Sequence, residues 1–177
     1  MSKPPSYILQ TERLQLRRFS FDDSEFIIRL LNSEGWLKYI GDRNVKTKEQ
    51  ADNYLKKGPL KSYKQNGFGL CMVETHNGVP IGMCGIIKRD YLKHPDIGFA
   101  FLPEYWSMGY GKEIASAMLA YARNDLHLPT ILAITLPNNI NSIRLLEKIG
   151  LRFVKSFRTE PEAEELLLYS TKKIPVR

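Results

Sequence analysis

The hexapeptide Ser107-Met108-Gly109-Tyr110-Gly111-Lys112 is the segment of this chain best suited to chemistry. Its two glycines stand two positions apart, between an apolar run ending at Leu102 and an alanine-rich run beginning at Glu113. Folded as strand, tight turn and helix, it gathers backbone N–H groups at the positive end of a helix dipole, which is chemistry for a phosphate or diphosphate. Glycine suits such a turn because a Cβ would hold the ligand away. An ordinary strand-to-helix turn carries the same pattern, so Gly-x-Gly alone specifies no ligand. Other reactive residues offer less. His76 falls at a turn, His94 and His127 lie near loops, and none has a nucleophile partner nearby in sequence. Cys71 and Cys84 belong to no Cys-x-x-Cys pair, and no two histidines stand at ligand spacing beside them, so no metal site is expected.

The elements that would position the turn are legible from period and punctuation. Residues 13–18 alternate as a half-buried strand with Leu14 and Leu16 on one face. Ser20, Asp22 and Asp23 then offer capping oxygens to a helix carrying Phe26, Ile27, Leu30 and Leu31. Residues 36–41 read as apolar and irregular. A polar helix from Thr47 to about Tyr63 opens on a capping box, Thr47 with Gln50. Strands over 68–75 and 80–88 flank Asn77-Gly78, the strongest hairpin signal in the chain. A two-residue loop there sets Cys71 opposite Cys84 at a non-hydrogen-bonded pair, and free, space-filling thiols are expected. A third strand, 95–102, leads into the glycine turn. The helix after Gly111 runs to about Leu126, and Pro129 marks the loop beyond it. The apolar run 131–136 reads as a central strand parallel to the one before that helix. Asn138 and Asn139 cap a helix with Ser142, Leu145, Leu146 and Ile149 on one face, ended by Gly150. Strands over 151–158 and 165–170 enclose the acidic loop 160–164. The order β-α-α-β-β-β-α-β-α-β-β describes one α/β domain on a mixed sheet.

The 177 residues carry 43% hydrophobic and 25% charged side chains, the composition of one globular domain with a sizeable core. Met1 to Ser6 lack the apolar core of a leader, and no apolar run reaches the roughly 18 residues of a membrane span. A cytoplasmic protein with no membrane association is expected. The net charge of +7 suits anionic partners, but the basic residues are scattered and no basic face interleaves with aromatics. Direct nucleic-acid binding is therefore not expected, and an RNA-associated module is the weakest of the functional readings.

Three motifs, in this order, resemble the GNAT superfamily of N-acetyltransferases, and within it the branch of ribosomal-protein N-terminal acetyltransferases of RimJ/RimL type. Thr11-Glu12-Arg13-Leu14-Gln15-Leu16-Arg17 is similar to that branch's TERL-x-LR first strand. Residues 96–111, from Asp96-Ile97-Gly98 through Pro103-Glu104-Tyr105-Trp106 to Gly109-Tyr110-Gly111, are similar to its strand and glycine turn. Residues 139–151, with Asn139, Ser142, Glu147, Lys148 and Gly150, are similar to its N-x-x-S-x-x-x-x-E-K-x-G-F signature. The resemblance covers about residues 8–170 of a single domain spanning 1–177.

The resemblance implies a GNAT-like α/β fold: a single mixed, mostly antiparallel twisted sheet with two splayed central parallel strands, flanked by helices. It implies acetyl-CoA as co-substrate, no metal, and a primary amine as acceptor, either a peptide N-terminus or a small molecule. Ser107, Met108, Gly109, Tyr110, Gly111 and Lys112 would hold the diphosphate. Phe99, Ala100 and Phe101 would pair with the pantetheine arm, which Asn139 meets from the other side. A main-chain N–H freed by a strand bulge would meet the oxyanion. Leu146 stands where many members place a tyrosine acid, so the branch's pattern makes Ser142 the substitute. Asp96 stands at a base position that often holds Glu. A locally bonded carboxylate at Asp96 and a small packing residue at Ser142 are the competing readings. Trp36, Tyr39 and Tyr105 are core anchors or walls of an acceptor site, and a homodimer is an open arrangement. A CoA-binding protein without turnover is the alternative function.

Overall fold

A computed structural model describes residues 6–174 of the chain. The Met1–Pro5 segment, and with it the expectation about a leader, lies outside those residues. One eight-stranded sheet runs in the order β1-β2-β3-β4-β5-β6-β8-β7, with strands β1 (Tyr7–Gln10), β2 (Leu14–Arg18), β3 (Leu70–Thr75), β4 (Pro80–Ile87), β5 (Asp96–Phe101), β6 (Leu132–Thr135), β7 (Arg152–Phe157) and β8 (Leu166–Ser170). Every neighbouring pair is antiparallel except β5 and β6. Helices α1 (Ser24–Leu31), α2 (Glu34–Tyr39), α3 (Lys48–Lys57) and α4 (Pro59–Asn66) precede β3; α5 (Tyr110–Asn124) and α6 (Ile140–Lys148) flank β6 in sequence.

The alternation of each strand supplies two cores. Leu14, Leu16, Cys71, Val73, Cys84, Ile86 and Ile97 meet Ile114, Ala115, Met118 and Leu119 of α5 and Leu146 of α6. On the opposite face Met72 and Met83 meet Phe26, Ile27, Leu30, Trp36, Ala51 and Leu55 of the first three helices. Arg17 ties the second layer to the sheet, reaching Asp23 Oδ1 at 2.8 Å and Glu74 Oε1 at 2.7 Å from one guanidinium. Among the described residues no helix is long and apolar enough to cross a membrane.

Four expectations are corrected, each for a local reason. Tyr7–Gln10 forms a strand the pattern hid: it pairs with β2 across a turn closed by Thr11 N–H to the Leu14 carbonyl at 2.8 Å. The segment read as irregular, 36–41, overlaps α2, whose six residues are too few for a period to register. The helix read as continuous from Thr47 to Tyr63 breaks at Gly58-Pro59. Proline there has no N–H and disfavours helical backbone before it, yet suits the first position of α4. The capping box at its start forms, with the Thr47 N–H donating to Gln50 Oε1 at 3.0 Å.

The hairpin is the fourth. Gly78 N–H donates to the Thr75 carbonyl and Thr75 N–H to that of Val79, so the loop has three residues, with Gly78 at φ +76°. A bulge at Ile81, between the pairs Glu74–Pro80 and Val73–Gly82, then restores the register that sets Cys71 opposite Cys84. The pairing is as expected, but its kind is not. Pro95 accepts from the Leu132 N–H, so odd residues of β5 face β6 and even ones face β4. Met83 and Gly85 therefore face β5, and Cys84 faces β3 as a hydrogen-bonded partner of Cys71, the wider kind of pair. Both thiols are free and buried, and burial pushes Cys71 up to about 12.

Candidate functional site

The parallel pair of β5 and β6 is in register only at Asp96 and Leu132, after which the strands part. β6 continues through Ala133, Ile134 and Thr135 against β8 alone. The alternation fixed by Pro95 turns the main-chain groups of Phe99 and Phe101 toward the gap rather than toward β4. An extended ligand can thus add main-chain hydrogen bonds along β5 in the space β6 vacates. β5 pairs with β4 without a register shift. The expected bulge is absent there, and divergence of β6 frees the amides instead.

At the open end stands the glycine turn. Ser107 has φ +61° and Gly109 φ +81°, and α5 starts at Tyr110 with no side-chain cap. Left-handed followed by right-handed backbone at Gly109 and Tyr110 turns successive N–H groups to one side, the geometry of an anion nest. Among the described residues, none of the six N–H groups from Ser107 to Lys112 donates within the chain; the next, that of Glu113, donates to the Gly109 carbonyl at 3.1 Å. These are the orphan donors of a helix start extended backwards by a turn.

α6 closes the gap from the other side. Asn139 caps it, accepting from the Ser142 N–H at 3.2 Å through Oδ1 and leaving its amide N–H₂ free to donate. An ideal Cβ on Gly111 would lie 3.2 Å from Leu145 Cδ2 and 3.7 Å from Phe101 Cε2, so α5, α6 and the end of β5 converge there. The structure therefore brings the turn at Gly111, the end of β5 at Phe101 and α6 at Leu145 to one place; Asn139 and Ser142 stand at the start of that same helix, and Phe99 lies two residues back along β5. Ala100 projects to the opposite layer, among the residues packed on Met72 and Met83. Leu146 is buried in the α5 core, which leaves α6 no side chain at that position able to donate a proton.

Asp96 stands apart, at the vertex of the gap. One length of β5, about 17 Å, separates it from Phe101. Its carboxylate is 1% exposed, and Arg89 Nε lies 3.0 Å from both oxygens. Burial pushes this carboxyl up, against the opposing pull of the Arg89 guanidinium.

Trp106, not assigned to the site from the sequence, reaches the end of β5, and Trp36, weighed there as a core anchor or an acceptor wall, lies in the core. Trp106 Nε1 donates to the Phe101 carbonyl at 2.9 Å and so occupies one of the groups facing the gap. Its ring lies on Gly35, where an ideal Cβ would come within 2.3 Å of Cζ2; no side chain fits there without moving the indole. Trp36, the next residue of α2, is buried, and its Nε1 has no partner among the described residues, an unmade hydrogen bond worth about 1–3 kcal/mol. Tyr105 packs against the cluster that holds Trp36, while Tyr39 is half-buried. The aromatic residues gave a signal in composition but none in spacing.

Also missed was the clamp on the turn. Arg13 Nε donates to Glu113 Oε2 at 2.7 Å, its Nη1 donates to the Met108 carbonyl at 2.9 Å, and its guanidinium lies 4.6 Å above the Tyr110 ring. Glu113 Oε1 accepts from the Arg13 N–H at 2.9 Å and from Thr11 Oγ1 at 2.6 Å. The turn is thereby fastened to the β1–β2 connection. No group of three or more His, Cys, Asp or Glu able to hold a metal ion occurs among the described residues.

A parallel pair that parts beside an amide-lined helix start is the arrangement that the sequence resemblance to the GNAT superfamily implies. The model for the Acetyltransferase (GNAT) domain matches residues 13–152, and the chain belongs to that family. It is 30% identical over 144 residues to the uncharacterized N-acetyltransferase YnaD of Bacillus subtilis, covering 81% of this chain and 82% of that one. Its structure is similar to that of a GNAT-family acetyltransferase from Bacillus anthracis, with TM-score 0.76 and 29% identity over 92% and 96% of the two chains. It shares its fold with RimL, a ribosomal L7/L12 alpha-N-protein acetyltransferase solved in complex with coenzyme A, with TM-score 0.80 at 12% identity over 93% and 97%.

Proposed function

We propose that this acetyltransferase moves the acetyl group of acetyl-CoA directly to a primary amine, a protein N-terminus or a small-molecule amine, in a ternary complex. The observation that carries the reading is the run of six N–H groups from Ser107 to Lys112, at the start of α5, that find no acceptor among the described residues. They fit a diphosphate, to which charge-assisted hydrogen bonds from main-chain amides and a helix dipole are favourable. The bound co-substrate supplies an acyl group activated as a thioester. The main chain of Phe99 and the N–H of Phe101 hold its arm along β5, and the Asn139 amide meets it from α6. Holding amine and acyl carbon at near-attack distance supplies much of the rate. Asp96, raised by burial, receives the proton of the incoming ammonium through water, since its own oxygens are closed off. As the C–S bond breaks, the proton that the attacking nitrogen sheds on becoming an amide passes through the Ser142 hydroxyl, at the first turn of α6, to the departing sulfur, which leaves both the serine and the thiol neutral.

Titration calorimetry with acetyl-CoA and CoA tests the cradle. Gly109→Val puts a β-branched residue at φ +81° and is expected to abolish binding while leaving a cooperative unfolding transition. Retained affinity in that variant contradicts the assignment. The motifs of residues 11–17 and 139–151 favour the RimJ/RimL branch, and a cytoplasmic location, expected from the sequence on other grounds, is part of the same proposal.

A second reading, a CoA-binding protein without turnover, is favoured by two observations: Leu146 is core, and Asp96 is locked to Arg89. Thiol release measured over N-terminal peptides, polyamines, aminoglycosides and amino acids separates the two, because binding without turnover on every acceptor supports the second.

A further inference from the structure

We propose that Arg13 is a positioning residue for the diphosphate turn: anchored by Glu113, its guanidinium holds the Met108 carbonyl and so aims the Gly109 N–H into the cradle. The inference rests on the reading of residues 107–112 as that cradle.

The geometry follows from the peptide unit. No cis peptide occurs among the described residues, and in a trans peptide the C=O and the next N–H point in opposite directions. Met108 C=O accepts from Arg13 Nη1 at 2.9 Å, so the Gly109 N–H points away from Arg13, in the sense the nest requires. Without that contact, the peptide between Met108 and left-handed Gly109 is free to rotate, since both flanking residues are exposed. An ideal Cβ on Gly109 would stand 3.3 Å from Arg13 Nη2, so the guanidinium lies against the back of the turn.

Only an arginine makes this arrangement. Nε and Nη2 both reach Glu113 Oε2 at 2.7 Å, while Nη1 remains for the Met108 carbonyl and the plane rests on Tyr110. A lysine keeps the charge but has a single nitrogen and no plane. Charge is in any case balanced locally, because Glu113 carries the opposite sign. Arg13 therefore acts through orientation rather than as a cationic ligand. Glu113, one turn into α5, is fixed independently by the Arg13 main chain and Thr11, so the clamp's base survives changes to the Arg13 side chain.

The test compares wild type, Arg13→Lys and Arg13→Ala with two acyl donors: acetyl-CoA, and S-acetylpantetheine, which has the thioester arm but no diphosphate. Calorimetry with CoA reads the cradle, and steady-state kinetics with each donor reads the arm. Both variants are expected to bind CoA about tenfold more weakly, the order of one charge-assisted hydrogen bond. KM for acetyl-CoA rises in parallel, while kcat/KM for S-acetylpantetheine stays as in wild type. Equal CoA affinity in all three proteins overturns the role of Arg13 and leaves the cradle standing. So does a loss shared equally by S-acetylpantetheine, which marks general loosening, and so does full rescue by lysine, which marks a charge effect. Failure of wild type itself to bind CoA overturns the cradle, and Arg13's role falls with it.

Discussion

Asp96 shows how one residue can be read in two ways. As a buried carboxylate paired with Arg89 it is a structural ion pair, and removing either partner leaves the other poorly compensated. As a base at the vertex it is a proton acceptor made stronger by burial. Asp96→Asn keeps the shape and one hydrogen-bond acceptor for Arg89. If Asp96 takes the proton, kcat falls by about 100-fold or more while the affinity for CoA is held. A variant with near-normal kcat and a lowered melting temperature places Asp96 in the ion pair alone. Ser142 is a simpler case, since its N–H is committed to Asn139 and its hydroxyl makes no bond among the described residues.

At the level of elements, the decisive joint is α5 against the β1–β2 connection. Burial by itself would raise Glu113, but hydrogen bonds from Thr11 Oγ1 and the Arg13 N–H, with the guanidinium, outweigh it and hold the carboxyl below its ordinary range. A carboxyl depressed in the folded state stabilises above its unfolded pKa, and that contribution is lost as pH falls through the folded value. Glu113→Gln should therefore be less stable than wild type at pH 7. The difference should shrink as the pH drops below about 4.3, where the carboxylate of the unfolded chain begins to protonate. Urea unfolding at a series of pH values measures it; a pH-independent difference means that the joint does not depend on the charge. The capping oxygens of Thr47 and Asn139 sit beside the helices they serve and could be read locally. Arg13 and Glu113 are 100 positions apart, and nothing in their spacing announces a contact.

On the scale of the whole molecule, a net charge of +7 accompanies the cradle proposed for a strongly anionic ligand. Association with CoA should be steered, with the on-rate falling several-fold as salt rises from 0.1 M to 1 M and the screening length from about 10 to 3 Å. Stopped-flow rates that ignore salt would show that only the local amides attract the ligand. The sequence by itself determined the elements that carry their own local causes: the alternation of β2, the capped starts of α3 and α6, the glycine turn and the order of strands around it. It also determined the family, through motifs whose residues lie close together in the chain. It misjudged elements whose causes are distant or too short to repeat. α2 exists because Trp36 finds a buried place and Gly35 admits the Trp106 ring; the Cys71–Cys84 pairing survives a longer loop because a bulge at Ile81 compensates. The splay of β5 from β6, the Trp106 hold on Phe101 and the Arg13 clamp on Met108 were decided by tertiary structure alone. Each depends on where separate segments meet, and periodicity and propensity describe only what a segment does with its own neighbours.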